Sequence, residues 1–204
     1  SSKNKDTQEF PFIHFLNFFI NHNLFELKKR PQWKFISGGS YKYVEALIKK
    51  KLFHYYLNFQ IKKIKRKDNK IIIVAKDNSI SYFDKIIFAN HADQALKLLD
   101  QPTENESNIL SNFNYTQNHA YLHSDNQLMP KSDLAWSSWN FLQNLYKKDS
   151  FSLTYWMNNL QKIKSSTNYF VSINPPFIPK NVINEHIFEH PIFNMKTLNA
   201  QKNL

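Results

Sequence analysis

The spacing of apolar residues predicts helices at the start of the chain. Between Phe10 and Leu27 apolar positions recur every three or four residues, which predicts a helix that Pro31 terminates. Ser40 is a candidate N-cap for a second helix that runs to about Leu52. The N-terminal quarter of the chain is therefore predicted to be mainly helical.

From Leu57 onward the apolar positions alternate, which is the period of a strand. Predicted strands occupy residues 57–64, 71–75 and 80–83, with turns at Asp68-Asn69 and Asp77-Asn78. The run Ile86-Ile87-Phe88-Ala89 is continuously apolar, which is typical of a strand buried on both faces. A helix is expected over 92–99, and Thr103 with Glu106 spells a capping box for another.

The second half is rich in Tyr, Trp, Phe and Ser at alternating positions. The pattern predicts strands over 115–123, 135–141, 151–157 and 169–173, a short helix over 158–163, and a proline-punctuated extended tail. The expected fold is a mixed α/β (α+β) chain in two lobes, in which residues 115–173 supply a largely antiparallel sheet.

Glycine is almost absent. The chain contains only Gly38 and Gly39, whereas average usage would give about 14 in a chain of this length. These two are expected where no other residue fits. A single Gly-Gly pair also excludes a G-x-G-x-x-G turn, a P-loop and a G-x-S-x-G elbow within this sequence.

Cysteine and charge limit the compartment and the partners. With no cysteine, the chain has no disulfide framework or thiolate site, which suits a reducing compartment. No secretory leader is visible, and the apolar stretch from Phe10 to Leu27 is too polar and too short to span a membrane. We therefore expect a cytoplasmic protein that can also be peripheral to a membrane.

The formal net charge is +11, yet 25 of the 27 basic residues are Lys. Nucleic-acid surfaces usually enrich Arg, whose planar fork reads phosphates and guanine edges. Nucleic-acid binding is therefore disfavoured, and attraction to an anionic membrane surface is favoured over it.

Two patterns are candidates for chemistry. Residues 186–190 spell H-x-x-E-H, a zinc-peptidase motif that requires a helix. Pro191 follows at once and the segment is predicted to be extended, so we expect no metal site. The aromatic set Trp136, Trp139, Tyr155 and Trp156 could stack on bases, line a substrate pocket or fill the core. Composition alone favours the core.

Many short blocks occur in a familiar order, from Phe10 to the end of the chain. They lie at residues 10–11, 18–22, 30–33, 38–40, 43–44, 84, 86–96, 122–125, 128–130, 135–140, 154–158, 160–161, 174–176 and 190–191. Together they resemble the bacterial NAD/FAD-binding proteins of the flavin amine oxidase superfamily. Related domains are fused ahead of some plant cyclopropane fatty acid synthases.

The resemblance implies a cofactor domain interleaved with a substrate domain. Residues 31–100 would be the middle of the FAD-binding domain, 1–30 a helical part of the substrate domain, and 101–204 its sheet and tail. The positions implied to face FAD are Gly38, Gly39, Ser40, Ile61, Ala89, Asn90 and His91. Those implied as pocket walls are Trp136, Trp139, Tyr155 and Trp156, and no catalytic base can be assigned.

Members of this family also open with a G-x-G-x-x-G turn and close with a glycine-rich segment near the flavin. Neither is present here, so we expect an internal fragment of an FAD-dependent oxidoreductase (a flavoprotein) that takes a hydride from an amine or an acyl chain. Two alternatives remain open. One is an inactive or partner-binding remnant that cannot hold FAD alone, and the other is a basic module that binds single-stranded nucleic acid. The substrate, the electron acceptor and the oligomeric state are not predicted.

Overall fold

The fold consists of two compact units with separate sheets. The computed structural model describes residues 10–26, 28, 31–143 and 151–204. The large unit comprises the chain up to Lys50 together with Tyr115–Asn194, and the small unit comprises Lys51–Asn114 together with Met195–Leu204. Helices and antiparallel strands are mixed, which confirms the predicted mixed α/β class.

The small unit contains a three-stranded antiparallel sheet. Its strands β1 (Ile61–Lys67), β2 (Lys70–Ala75) and β3 (Ile80–Phe83) lie in that order. The turn between β1 and β2 has Asp68 and Asn69 at φ angles of 52° and 59°, which suits a tight hairpin because these residues tolerate left-handed backbone. Both predicted turns and the last two predicted strands are confirmed. The first strand begins only at Ile61, four residues later than predicted.

Three helices complete the small unit: α3 (Ala92–Leu98), α4 (Glu104–Leu110) and α6 (Met195–Gln201). Helix α3 lies against β1, where the backbone N–H of Asp100 donates to the carbonyl of Ile64 at 2.9 Å. Ile64 is only 2% exposed and lies in a core with Ala75, Ala95 and Leu99. Helix α6 was not predicted.

The prediction of a buried strand over residues 86–89 is wrong. No described strand pairs with this segment, and the side chain of Ile87 is 92% exposed. An apolar run forms a buried strand only where neighbouring strands pair with its edges and other elements cover both of its faces. The described sheet ends at β3 and provides no such neighbour.

The large unit is built on a five-stranded antiparallel sheet. Its strands are β4 (Tyr115–His123), β5 (Trp139–Gln143), β6 (Phe151–Trp156), β7 (Phe170–Ile173) and β8 (Val182–Pro191). Their spatial order is β5-β6-β7-β4-β8, and each neighbouring pair is antiparallel. The antiparallel sheet predicted for residues 115–173 is confirmed, although the strand predicted over 135–141 begins only at Trp139. The predicted extended tail forms an additional strand, β8, along one edge.

The large unit also contains the helices α1 (Phe12–Asn21), α2 (Tyr41–Lys49) and α5 (Met157–Leu160). Helix α1 ends six residues before Leu27, where the sequence pattern placed its end, and Leu27 itself lies outside the described residues. Ser40 occupies the N-cap position of α2, but its hydroxyl makes no capping hydrogen bond. Within the described residues, no helix combines the length and apolar character needed to cross a membrane.

Candidate functional site

A cavity of about 850 Å³ lies against one face of the sheet in the large unit. Most of its walls are aromatic or aliphatic. The lining residues are Phe10, Phe12, Phe15, Asn118, Phe141, Phe151, Ser152, Leu153, Tyr155, Ile173, Asn174, His190, Pro191, Ile192 and Phe193. Its volume is within the usual range of small-molecule sites, and predominantly apolar walls with a few polar groups are typical of them.

Strand register explains why these side chains meet. Phe141 is paired with Leu153, and Leu153 is paired with Ile173. Directly paired residues of antiparallel strands project to the same face. Tyr155 lies two residues after Leu153 on β6 and therefore shares that face. The β5–β6 side of the cavity is thus an aromatic and aliphatic wall.

The start of the described chain supplies the remaining apolar wall. The ring of Phe10 lies edge-on to that of Phe193 at 6.0 Å, and His14 lies 5.6 Å from the same ring. Phe12 and Phe15 on α1 are stacked 6.0 Å apart. Edge-on and offset aromatic pairs of this kind are favourable beyond the area that they bury.

Polar groups occur at the opposite side of the cavity, where β7, β4 and β8 adjoin. Asn118, which is only 5% exposed, donates from Nδ2 to the Thr116 carbonyl at 3.1 Å. The same Nδ2 lies 2.9 Å from Nδ1 of His190. Nδ2 of Asn174 donates to Oδ1 of Asn118 at 2.7 Å, and Oδ1 of Asn174 accepts from the His119 N–H at 2.9 Å. We call Asn118, Asn174 and His190 the amide relay.

The other face of the sheet carries a buried polar chain. His123 and Ser172 are both fully buried, and Nε2 of His123 lies 2.9 Å from Oγ of Ser172. Ser172 in turn lies 2.7 Å from Oγ1 of Thr154, and the Asp125 N–H donates to Nδ1 of His123 at 3.1 Å. Burial lowers the pKa of His123, and the nearby Asp125 charge opposes this only in part.

Tyr155 is the one member of the predicted aromatic set that lines the cavity. Trp136 and Trp156 pack together at 5.3 Å on the face that carries His123, and Trp136 lies 5.7 Å from the buried ring of Phe170. Their indole N–H groups donate to Pro130 O and Asn168 Oδ1, each at 2.9 Å. These two tryptophans belong to the core of the large unit.

Trp139 is paired with Tyr155 across β5 and β6 and is 51% exposed. Its ring lies edge-on to that of Trp33 at 5.9 Å. It therefore shares the face of Tyr155 without lining the described cavity.

The residues implied to face FAD fall in both units. Gly38 and Gly39 belong to the large unit and have φ angles of 81° and 89°, which confirms that this turn requires glycine. A Cβ at Gly39 would meet nothing within 4 Å, so the backbone there is open to approach. The adjoining α2 has no side-chain cap from Ser40. The backbone N–H of Gly39 donates to the Ile36 carbonyl at 2.9 Å, which closes the turn before α2.

Ile61, Ala89, Asn90 and His91 belong to the small unit. Ile61 opens β1, where the register is irregular before Lys63, and its side chain is half-buried. Ala89 and Asn90 are exposed, and His91 is the half-buried residue that precedes α3.

The H-x-x-E-H segment is extended, as predicted, because it lies within β8. His186 and His190 pair with Ala120 and Thr116, and both project to one face of the strand about 13 Å apart. Within the described residues no cluster of three metal-ligating side chains occurs. Sequence reasoning missed Asn118 and Asn174, because nothing in the local pattern distinguishes them from other asparagines.

Comparison of the sequence with protein-family models gives no match, and comparison with curated proteins gives none either. Among solved structures, the chain is similar to the crystal structure of a CLA-producing fatty acid isomerase from P. acnes, with a TM-score of 0.54 and 11% sequence identity. The alignment covers 81% of this chain and 43% of the isomerase chain. The chain thus spans less than half of the isomerase's length, and a likeness at this identity shows a common fold alone.

Proposed function

We propose that this chain forms part of an FAD-dependent oxidoreductase of the amine-oxidase type that acts on an acyl chain. The observation that carries the proposal is the aromatic cavity on one face of the large unit's sheet. Burying each methylene of an acyl chain in such a cavity contributes roughly 0.8 kcal/mol. Long apolar substrates are therefore the ligands that these walls favour.

The sequence left an amine and an acyl chain open as substrates, and the lining favours the acyl chain. Among the described lining residues none is Asp or Glu. A bound ammonium group would therefore have no carboxylate to compensate its loss of hydration. An uncharged chain has no such requirement.

The structural comparison supports the choice of a lipid. One solved structure with a similar fold is that of a CLA-producing fatty acid isomerase. A similar fold does not imply the same activity. The proposal of an acyl substrate therefore rests on the cavity, and the similar fold is only additional support.

When bound, FAD would supply the redox chemistry by accepting a hydride from a C–H bond of the substrate. The residues of this chain would bind the cofactor and the substrate and orient them. Under this proposal, the residues of this chain that would contact the cofactor are Gly38, Gly39, Ser40, Ile61, Ala89, Asn90 and His91. The cavity residues would hold the acyl chain and exclude water.

Under this proposal, residues 31–100 belong to the cofactor domain, and 1–30 with 101–204 to the substrate domain. The protein would be cytoplasmic and peripheral to an anionic membrane, from which acyl chains are supplied. Exposed apolar side chains on α1 and the formal net charge of +11 favour such contact.

The cofactor assignment is tested by flavin content in the full-length protein that carries this chain. Ala89→Trp should abolish retention of FAD, because a bulky ring would occupy the space of the cofactor. Ile87→Trp is the matched control, since Ile87 lies two residues away and its side chain is 92% exposed. The measurement is flavin absorbance per protein after purification with added FAD.

Equal flavin content in the parent and the Ala89→Trp variant would contradict the assignment. The 204-residue chain alone should not retain FAD, because its sequence lacks the glycine turn whose N–H groups bind the pyrophosphate. Stoichiometric flavin on that chain would refute this expectation. A full-length protein that never binds flavin would instead favour the partner-binding alternative.

A further inference from the structure

The amide relay fixes the proton of His190. The backbone N–H of His119 can only donate, so the Asn174 atom that receives it is Oδ1 and the other terminal atom is Nδ2. That Nδ2 donates to Asn118, which makes the receiving atom Oδ1. Asn118 therefore presents Nδ2, a donor, to His190. Nδ1 of a neutral His190 must accept this bond, which leaves its proton on Nε2.

The relay is held firmly enough to impose this tautomer. Asn174 also donates its backbone N–H to the His119 carbonyl at 2.8 Å, so both ends of Asn174 bind the same residue of β4. Asn118 is nearly buried and has a second anchor in the Thr116 carbonyl. Among the described residues no hydrogen bond engages Nε2 of His190. The relay thus presents a donor on a residue that lines the cavity.

We infer that Nε2–H of His190 binds a hydrogen-bond acceptor at the head of the acyl ligand, a carboxylate or an acyl carbonyl. The inference rests on the proposed acyl substrate and adds the group that orients it. In the relay, Asn174 follows β7, and Asn118 and His190 lie on β4 and β8. The apolar wall of Phe141, Leu153 and Tyr155 lies on β5 and β6. Four strand intervals separate β5 from β8, a distance of about 19 Å. The head group and the acyl chain of an amphiphile would therefore contact different strands.

The donor also determines selectivity. A carboxylate accepts a hydrogen bond from an imidazole N–H, whereas an ammonium group has only donors. An ammonium ligand would therefore face the Nε2–H without an acceptor. Palmitate should bind more tightly than hexadecylamine, which has a chain of equal length.

The test compares palmitate and hexadecylamine binding to the 204-residue chain by displacement of a fluorescent fatty-acid probe. His190→Leu should weaken palmitate binding by about tenfold, since a hydrogen bond to a charged group contributes 1.5 kcal/mol or more. Hexadecylamine binding should stay within about twofold, because it gains nothing from the donor. His190→Gln, which keeps an N–H donor, should restore much of the preference for palmitate.

His186→Leu is the matched control, because His186 is also exposed on β8 and projects to the same face but does not line the cavity. Asn174→Gly tests the relay: glycine tolerates the φ of 47° at this position but removes the amide. It should lower the ratio of palmitate to hexadecylamine affinity.

A His190→Leu chain that keeps the parent's preference for palmitate would overturn this inference alone. A parent chain that binds neither amphiphile would overturn it together with the acyl substrate. If Ala89→Trp leaves the flavin content unchanged while palmitate binding still depends on His190, only the cofactor assignment is overturned.

Discussion

At the scale of single residues, asparagine occupies many of the positive-φ backbone positions in this chain that glycine usually occupies in other proteins. The two glycines have positive φ, but so do nine other residues in the described part of the chain, six of which are asparagines. The asparagines are Asn23, Asn58, Asn69, Asn78, Asn174 and Asn181. Asparagine is the side chain best suited to left-handed backbone, because its short amide bonds locally. At Asn174 the same amide also joins the relay, so one residue serves the turn and the cavity.

His123 makes the stability of the large unit depend on pH. Burial lowers its pKa in the folded state, so the unfolded chain, in which His123 has its ordinary pKa of about 6.5, takes up a proton at a higher pH than the folded chain does. The stabilisation is complete above that value and is lost as pH falls below it. As the pH falls below about 6.5, the free energy of unfolding should decrease by up to about 1.4 kcal/mol per pH unit.

All four tryptophans lie in the large unit, so their fluorescence during urea unfolding reports this free energy. His123→Gln removes the titrating group and should flatten the dependence over the same interval. If the parent and the variant lose stability in parallel as pH falls, His123 is not the cause.

At the scale of elements, helix α4 begins with a complete capping box. Oγ1 of Thr103 accepts from the Glu106 N–H at 3.2 Å, and Oε2 of Glu106 accepts from the Thr103 N–H at 2.8 Å. The same carboxylate accepts hydrogen bonds from both terminal nitrogens of Arg66. These hydrogen bonds are the main reason that the pKa of Glu106 is lowered. The cap therefore links α4 to β1.

Thr103→Ala should destabilise the small unit by about 1 kcal/mol, the usual cost of losing an N-cap oxygen. Asn108→Ala in the same helix is the control, since this exposed side chain has no capping role, and it should change stability by about 0.5 kcal/mol or less. Far-ultraviolet circular dichroism during thermal unfolding measures both. Equal losses in the two variants would mean that the box does not contribute.

The elements predicted correctly are those specified by neighbouring residues. The capping box and the Asp68-Asn69 turn depend on contacts within a few positions, so the sequence carries the whole signal. Residues 86–89 and β8 depend on distant partners. The apolar segment 86–89 has no described strand beside it, whereas β8, in which every residue is classed as exposed, pairs along the whole of β4. The hydropathy of a segment does not show whether another strand lies beside it.

The site shows the same division. Tyr155 and Trp156 are adjacent on β6, and successive side chains of a strand point to opposite faces. Tyr155 and Trp156 therefore could not both line one cavity, and the alternation of side chains along a strand is enough to predict this. Which face carries the cavity depends on the strand pairing and on Phe10, Phe12 and Phe15 from the opposite end of the sequence, and no local pattern reveals it.

At the scale of the whole molecule, apolar exposure and positive charge occur together. Helix α1 has no buried residue and no charged side chain, and Phe18 and Ile20 are about half exposed. Exposed Lys28 follows the helix, and the whole chain carries a formal charge of +11. Aromatic side chains that enter the lipid interface and lysines that attract anionic headgroups are the two contributions that anchor a peripheral protein.

We therefore expect the chain to bind vesicles that contain phosphatidylserine more tightly than vesicles of phosphatidylcholine alone, and less tightly as salt rises. Phe18→Asp should weaken this binding by at least about fivefold, because a charge near an anionic surface changes the free energy by about 1 kcal/mol. Ile87→Asp adds the same charge at an exposed position in the small unit and is the control. Co-sedimentation measures each variant. If both substitutions weaken binding equally, net charge rather than α1 mediates the contact.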